Sequence, residues 1–566
     1  MCRPGTMLCT SKASPAVSGQ TYCVTNLSMV SFLTLYSDTS YGEKGAMIYP
    51  AINLVMLTVG GVLLVGSLII NLVYNRDSGI AILVIGLILS GMAFSSIFQH
   101  AAASPNVIVM GSQANYFIYF LSVFASPFIS QLMLIMIFTG AGLKIGARDR
   151  KAREGRIMRN TVGWLMGFLD IFLSAFLFML IFGVFHLPLL YGAIFGAISG
   201  ETTATVVIPY VLKVTEKRVE EGKPEKIFHQ VAELLTIESA ANSVMLLIAV
   251  DFLFFFTGTG SSGATASSAL GILVQSFDSY IRSHFVNILE LIATSGAFTV
   301  ATVVIMGYFP RTPFTRAARN EEKEMSKGML QYGLLLGFSI ILYEALELEG
   351  PYFALDSFST AVVGLISLFL LNYAVGFFFL KKRNGLLLSP GPDGREFGLS
   401  GMTMFHEELE QMVRIGFFFV VGMQFYGNML SLYDGGAFLN NGIPSLFVHV
   451  GGSLPFPGAI ESAVLVAVFW VTFLLLRKIV GFVGRTAIFR KKADRKDRGV
   501  VRIVEAALPR GATAVAVASL MLSSGVPYSG VIYDLVMIAV FVSIFEFLYY
   551  SSGRKYVQSA VAAITT

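Results

Sequence analysis

At 566 residues the chain is long enough for several soluble domains, yet 55% of its residues are hydrophobic and only 13% charged, against about a quarter charged in a soluble domain. Its net charge of +5 is too small to indicate a nucleic-acid partner, and three cysteines (Cys2, Cys9 and Cys23) form no closed disulfide framework within one chain. A high mean hydropathy of +0.71 directs the search to membrane-spanning segments.

Residues 1–46 are polar apart from a weak apolar stretch near 29–36, which no basic segment precedes and which is too interrupted for a signal peptide. They are expected to form an extracellular N-terminal tail. Asn26-Leu27-Ser28 fits a glycosylation sequon, a pattern that also arises by chance. Crossing about 30 Å of hydrocarbon takes about 20 mainly apolar residues in a helix. Segments meeting that condition fall near 50–74, 78–98, 115–144, 158–187, 189–213, 229–257, 284–309, 328–347, 356–381, 407–432, 460–487, 503–525 and 528–550. The expected fold is therefore an all-α polytopic membrane protein with about thirteen transmembrane helices. One membrane domain would cover 47–552, followed by a short cytoplasmic tail at 553–566.

The connecting segments test this division. Those after odd-numbered spans are basic, as in Arg148, Arg150, Lys151, Arg153 and Arg156, or in Arg490, Lys491, Lys492, Arg495 and Lys496. Those after even-numbered spans carry almost no Lys or Arg, with Arg282 the exception. Because basic loops stay in the cytoplasm, the N-terminus is expected outside and the C-terminus inside.

Ionisable groups at bilayer depth are expensive and need a reason. The candidates are Asp170, Glu201, Glu233, Glu238, Asp251, Glu290, Lys478, Arg510 and Asp534. Of these, Asp170, Glu290 and Asp534 read as local structural groups. At about 1.5 Å per residue, Glu238 and Lys478 both lie about 13 Å from the cytoplasmic ends of their spans, Thr203 about 15 Å and Arg510 about 10 Å. Four helices thus put unusual polar groups in one layer, which predicts a shared polar site. Unrelated interhelical hydrogen bonds are the alternative.

Two of these helices contain residues that interrupt helices. Span five reads GAISGETTATVVIP (196–209) and span twelve LPRGATAVAVASL (508–520), with Pro509 and Gly511 flanking Arg510. Such interruptions mark a transporter's midplane site, although small residues also serve helix packing. Span six supplies TIESAANS (236–243). There Glu238 and Asn242, and Ser239 and Ser243, are four apart and are expected to form one oxygen-rich patch suited to a monovalent cation.

GAISGETTATVVIP followed by TIESAANS resembles the paired helix motif of the monovalent cation–proton antiporter superfamily. MLIMIFTGAGLKIGARDRKAREGR (133–156), RIGFFFVVGMQF (414–425), LLLRKIVGF (474–482) and PRGATAVAVA (509–518) resemble further motifs of that family in the same order. The resemblance implies inverted repeats, two crossed broken helices (spans five and twelve), and a dimerisation domain, hence a homodimer in the plasma membrane. It also implies exchange of Na⁺ or K⁺ for H⁺ by alternating access, with no cofactor. Thr202 would match the motif threonine, Glu238 the glutamate, Ser239 and Asn242 the following serine and asparagine. Lys478, rather than the adjacent Arg477, would match the basic residue and pair with Glu238. The implied cation ligands are Thr202, Glu238, Ser239 and Ser243, with Arg510 compensating charge.

The chain departs from the family where Thr203 and Ser243 replace the usual aspartates. A hydroxyl can ligate a cation but carries no proton near neutral pH. Glu238 is then the acid of the patch, with Glu201 a second acid near the break. Asp251 lies about 12 Å beyond Ser243 along its helix, too far to share an ion. Cation/proton antiport is the leading expectation. A transporter-derived sensor or complex subunit without exchange is the alternative, as is transport of another solute. An enzyme is not expected, for no catalytic set or phosphate-binding loop stands in the loops.

Overall fold

The structure is a computed structural model that describes residues 79–103, 126–149, 154–184, 189–203, 211, 226–258, 280–308, 321–353, 355–379, 401–433, 459–488, 504, 509–524, 526 and 529–565. Among these residues every regular element is helical. In chain order they are α1 (Gly79–Ala103), α2 (Ser126–Asp149), α3 (Glu154–Val184), α4 (Leu189–Gly200) and α5 (Lys226–Gly258). A π-helical turn (Tyr280–Phe285) leads into α6 (Val286–Tyr308), and α7 (Glu321–Glu349) runs through a 3₁₀ turn (Gly350–Phe353) towards α8 (Ser357–Phe379). The series ends with α9 (Gly401–Tyr433), α10 (Ala459–Ile488), α11 (Ala512–Ser523) and α12 (Ser529–Thr565).

Seven of the described helices are long and apolar enough to cross a membrane, and three shorter apolar helices accompany them. The chain is therefore a helical membrane protein. The expected spans from 78 onward each fall on a described helix, whereas the first, near 50–74, lies outside the described residues, as does the tail 1–46 with its cysteines and sequon. Helices α4 and α11 have only 12 residues each. Helix α4 stops at Gly200 where span five was expected to continue, and Val211 is helical again. Residues 509–511 are likewise non-helical, between helical Val504 and α11. The interruption follows from local chemistry, since Pro509 cannot continue the hydrogen-bond ladder and its ring crowds the preceding turn.

Apolar stripes at helical spacing face outward. On α3, Phe168, Phe172, Phe176, Leu180 and Val184 are exposed, as a lipid-facing helix requires. The opposite face of α3 packs against α5, and Gly167 permits the approach. A Cβ there would sit 2.9 Å from that of Ala241 and 2.8 Å from Asn242 Oδ1. Small residues are the usual means of close helix contact in lipid, where the hydrophobic effect does not drive helices together. An aromatic cluster ties α3, α4 and α10: Phe178 stands edge-on to Phe195 at 4.8 Å, and Phe195 stacks on Phe469 at 5.0 Å. A second apolar cluster, including Leu291, Tyr332, Leu342 and Val363, joins α6, α7 and α8.

Candidate functional site

The two non-helical segments meet. Thr203 donates its backbone N–H to the Pro509 carbonyl at 3.0 Å, and the Gly511 N–H donates to Glu201 Oε2 at 3.2 Å. Gly511 is where it is because a Cβ would collide with the Thr203 side chain. Gly511 also caps α11 without any side-chain cap of its own. The Glu201 carboxylate therefore occupies the positive end of α11, where an anion is favoured and an orphan N–H needs an acceptor.

Glu238 is fully buried and grips Arg477 with both oxygens, Nη1 on Oε1 and Nη2 on Oε2 at 3.1 Å. Arg477 Nη1 also reaches Asp170 Oδ2 at 3.2 Å. Two carboxylates from α5 and α3 thus share one guanidinium from α10. The sequence reading assigned this role to Lys478, which instead lies exposed on the outer side of α10 with Leu475, Ile479 and Phe482. Helical phase is the reason: neighbouring residues point about 100° apart, so only one of the pair faces inward. Arg477 is in register with the buried Phe473 and Val480. The planar guanidinium is also the group that binds a carboxylate through two parallel bonds. Asp170, read as a local structural group, is instead a member of this buried triad.

The expected single patch on α5 splits in two. Asn242, on the Glu238 side, donates Nδ2–H to Thr202 Oγ1 at 2.6 Å. Ser239 and Ser243 turn instead to a cavity of about 100 Å³, which Thr203 and Thr513 also line. Ser243 Oγ and Thr513 Oγ1 are 3.4 Å apart. The expected cation ligands Thr202, Glu238, Ser239 and Ser243 therefore do not all line this cavity: Ser239 and Ser243 do, and Thr202 and Glu238 do not. The cause is again the angle between adjacent helical residues.

The cavity is also lined by Lys144, Glu410 and Arg414. Glu410 pairs with Arg414 one turn on, and its Oε2 lies 3.3 Å from His406 Nε2. Lys144 pairs with Glu407 at 3.0 Å. None of these five groups was singled out from the sequence as a site residue, and only the fold brings Lys144 of α2 beside Glu410 and Arg414 of α9. Thr513 was inside a quoted motif without being read as a ligand.

Arg510 is buried, with its guanidinium carbon 4.4 Å from the Phe473 ring centroid. Its backbone N–H donates to Ser543 Oγ on α12 at 2.8 Å. Asp170, Glu201 and Glu546 are the acids near it. Glu546 was missed, although an acid within the last apolar stretch was a visible signal. Asp251 is apart from all of this, bound by Tyr280 at 3.2 Å and beside His284 at 3.4 Å. Glu290 is exposed on α6, and Asp534 is buried in α12.

No protein-family model matches the chain, and a search of curated proteins returns no significant match.

Proposed function

We propose that the protein is a secondary active transporter that exchanges a monovalent cation, Na⁺ or K⁺, for H⁺ by alternating access. The observation that carries this reading is the meeting of the two non-helical segments, 201–203 and 509–511, inside a buried ionic cluster and beside a hydroxyl-lined cavity. Irregular backbone at membrane depth is tolerated where it lines a cavity or is buried in protein. Its freed carbonyls and the hydroxyls of Thr203, Ser239, Ser243 and Thr513 are the ligand type that replaces the hydration shell of a small cation.

Coupling to protons follows from charge. The buried acids around Arg477 and Arg510 outnumber these two guanidiniums, and an uncompensated charge at this depth is costly. Either a proton or a monovalent cation nearby restores neutrality, so the two compete. The motif resemblance leads to the same function and adds a homodimer in the plasma membrane, with the N-terminus outside and the C-terminus in the cytoplasm.

Full-length protein in proteoliposomes, given an imposed pH gradient and a lumenal pH dye, tests the reading. Na⁺ or K⁺ should collapse the gradient in wild type, and Glu238→Gln should abolish the effect while the protein remains folded. Absence of any cation-dependent proton flux in folded wild type would overturn it. A non-exchanging sensor or complex subunit would then be favoured by a specific observation: both oxygens of Glu238 are taken by Arg477.

A further inference from the structure

The ionic cluster contains an acid that the exchange reading leaves unused. Glu546 on α12 is 2% exposed, and neither of its carboxyl oxygens makes a hydrogen bond. A carboxylate left without hydrogen bonds in an apolar interior is the costliest form that this side chain can take. Among the described residues, the charged group facing it is Arg510. Helices α1 and α9, which also pack on α12, bring it no charge, and Arg477 on α10 faces Arg510 rather than Glu546.

Arg510 is contested. Asp170 and Glu201 face it as well, and Glu201 has two advantages over Glu546: a hydrogen bond from the Gly511 amide and a place at the N-terminus of α11. Each stabilises the ionised form. Glu546 has neither. The cluster therefore holds the acids Asp170, Glu201, Glu238 and Glu546 against Arg477 and Arg510, with Asp170 near both guanidiniums. Asp170 and Glu238 are bonded to Arg477 directly through three N–H···O contacts. Near Arg510, Glu201 accepts the Gly511 N–H through one oxygen, whereas Glu546 accepts no hydrogen bond.

We propose that Glu546 is a proton-binding acid of the transport core, carrying its proton as a neutral carboxylic acid. Ser543, which accepts the Arg510 N–H one turn before Glu546 on α12, holds the two groups in register. The use of this proton in transport rests on the exchange reading, whereas its presence on Glu546 does not.

Infrared difference spectroscopy of the purified full-length protein at neutral pH tests the proposal. Wild type should show a carbonyl stretch from a protonated carboxylic acid in an apolar setting, and Glu546→Gln should remove it. Glu201→Gln, which leaves Glu546 in place, should retain the band. Loss of the band in Glu201→Gln would assign it to Glu201 and overturn the proposal. If Glu546→Gln does not fold, Glu546→Asp should move the band instead. A spectrum unchanged by Glu546→Gln, or a wild type without the band, overturns the proposal. Should the band behave as expected while proteoliposomes show no exchange, the proton site stands and the exchange reading falls.

Discussion

Arg477 and Lys478 are adjacent basic residues in one helix with opposite fates, and the difference is measurable. Removing one partner of a buried pair leaves uncompensated charge, at a cost of about 3–5 kcal/mol. Arg477→Met, which strands both Asp170 and Glu238, should therefore lower the melting temperature strongly or prevent recovery of folded protein. Arg477→Lys should lose less, because an ammonium keeps the charge but not the two-pronged contact. Lys478→Met, on the outer face, should leave the melting temperature nearly unchanged. Equal losses from Arg477→Met and Lys478→Met would refute the helical register described here. A second expectation concerns Ser243. Because it lines the cavity beside Thr513, Ser243→Asp would add a carboxylate next to the cavity's hydroxyls. Cation-dependent proton flux should rise or its pH profile shift. Val244→Asp, which buries an acid in the apolar core, should only destabilise. If Ser243→Asp alters neither rate nor pH profile in an exchanging protein, Ser243 does not contact the ion.

At the scale of helices, the sequence showed where two of them break more clearly than which side chains then meet. Gly, Thr and Pro gathered at 196–209 and 508–511 conflict with a continuous apolar helix whatever surrounds them. The break is a local property and was legible. Whether Glu238 shares a face with Ser239 is not local. Spacing of four puts Glu238 beside Asn242 and Ser239 beside Ser243, but the rotation of α5 about its axis is set by its contacts with α3 through Gly167. That rotation sends one pair to Arg477 and Thr202 and the other to the cavity. The same limit applied to Arg477 against Lys478, where a motif shifted by one residue changes the inward side chain. The contact between the breaks is tight enough to test. Gly511→Ala would drive a methyl into Thr203 and should abolish transport, or cost stability measurable by thermal unfolding. Thr203→Gly with Gly511→Ala, which removes the Cβ that the new methyl would meet, should restore part of the loss. A fully active Gly511→Ala protein would mean that the two segments do not approach as described.

The helical membrane class was legible in the apolar lengths, because these report directly on the solvent rather than on partner helices. Among the described residues seven helices are long and apolar enough to cross a membrane, fewer than the thirteen spans expected, and particular elements fall short of that measure for physical reasons. Helices α4 and α11 are shortened by their breaks. Helix α9 carries Glu407, Glu408, Glu410 and Arg414, and α7 carries Glu344, Glu347 and Glu349, charges that depress apolarity while serving the cavity or a helix end. Orientation rests on the basic loops after odd-numbered spans, and the chain contains its own reporter for it. All three cysteines, Cys2, Cys9 and Cys23, precede the first apolar segment, so thiol labelling of the unmodified protein reads the position of the N-terminal tail alone. After mild reduction of intact cells, a membrane-impermeant maleimide should label wild type. In a variant with all three cysteines changed to serine, Ser551→Cys, beyond the last apolar stretch, should label only after permeabilisation. Labelling of wild type solely in permeabilised cells would reverse the orientation and place the basic loops outside. Labelling of both sites from the same side would require an even number of crossings, and with it a different division of the chain into spans.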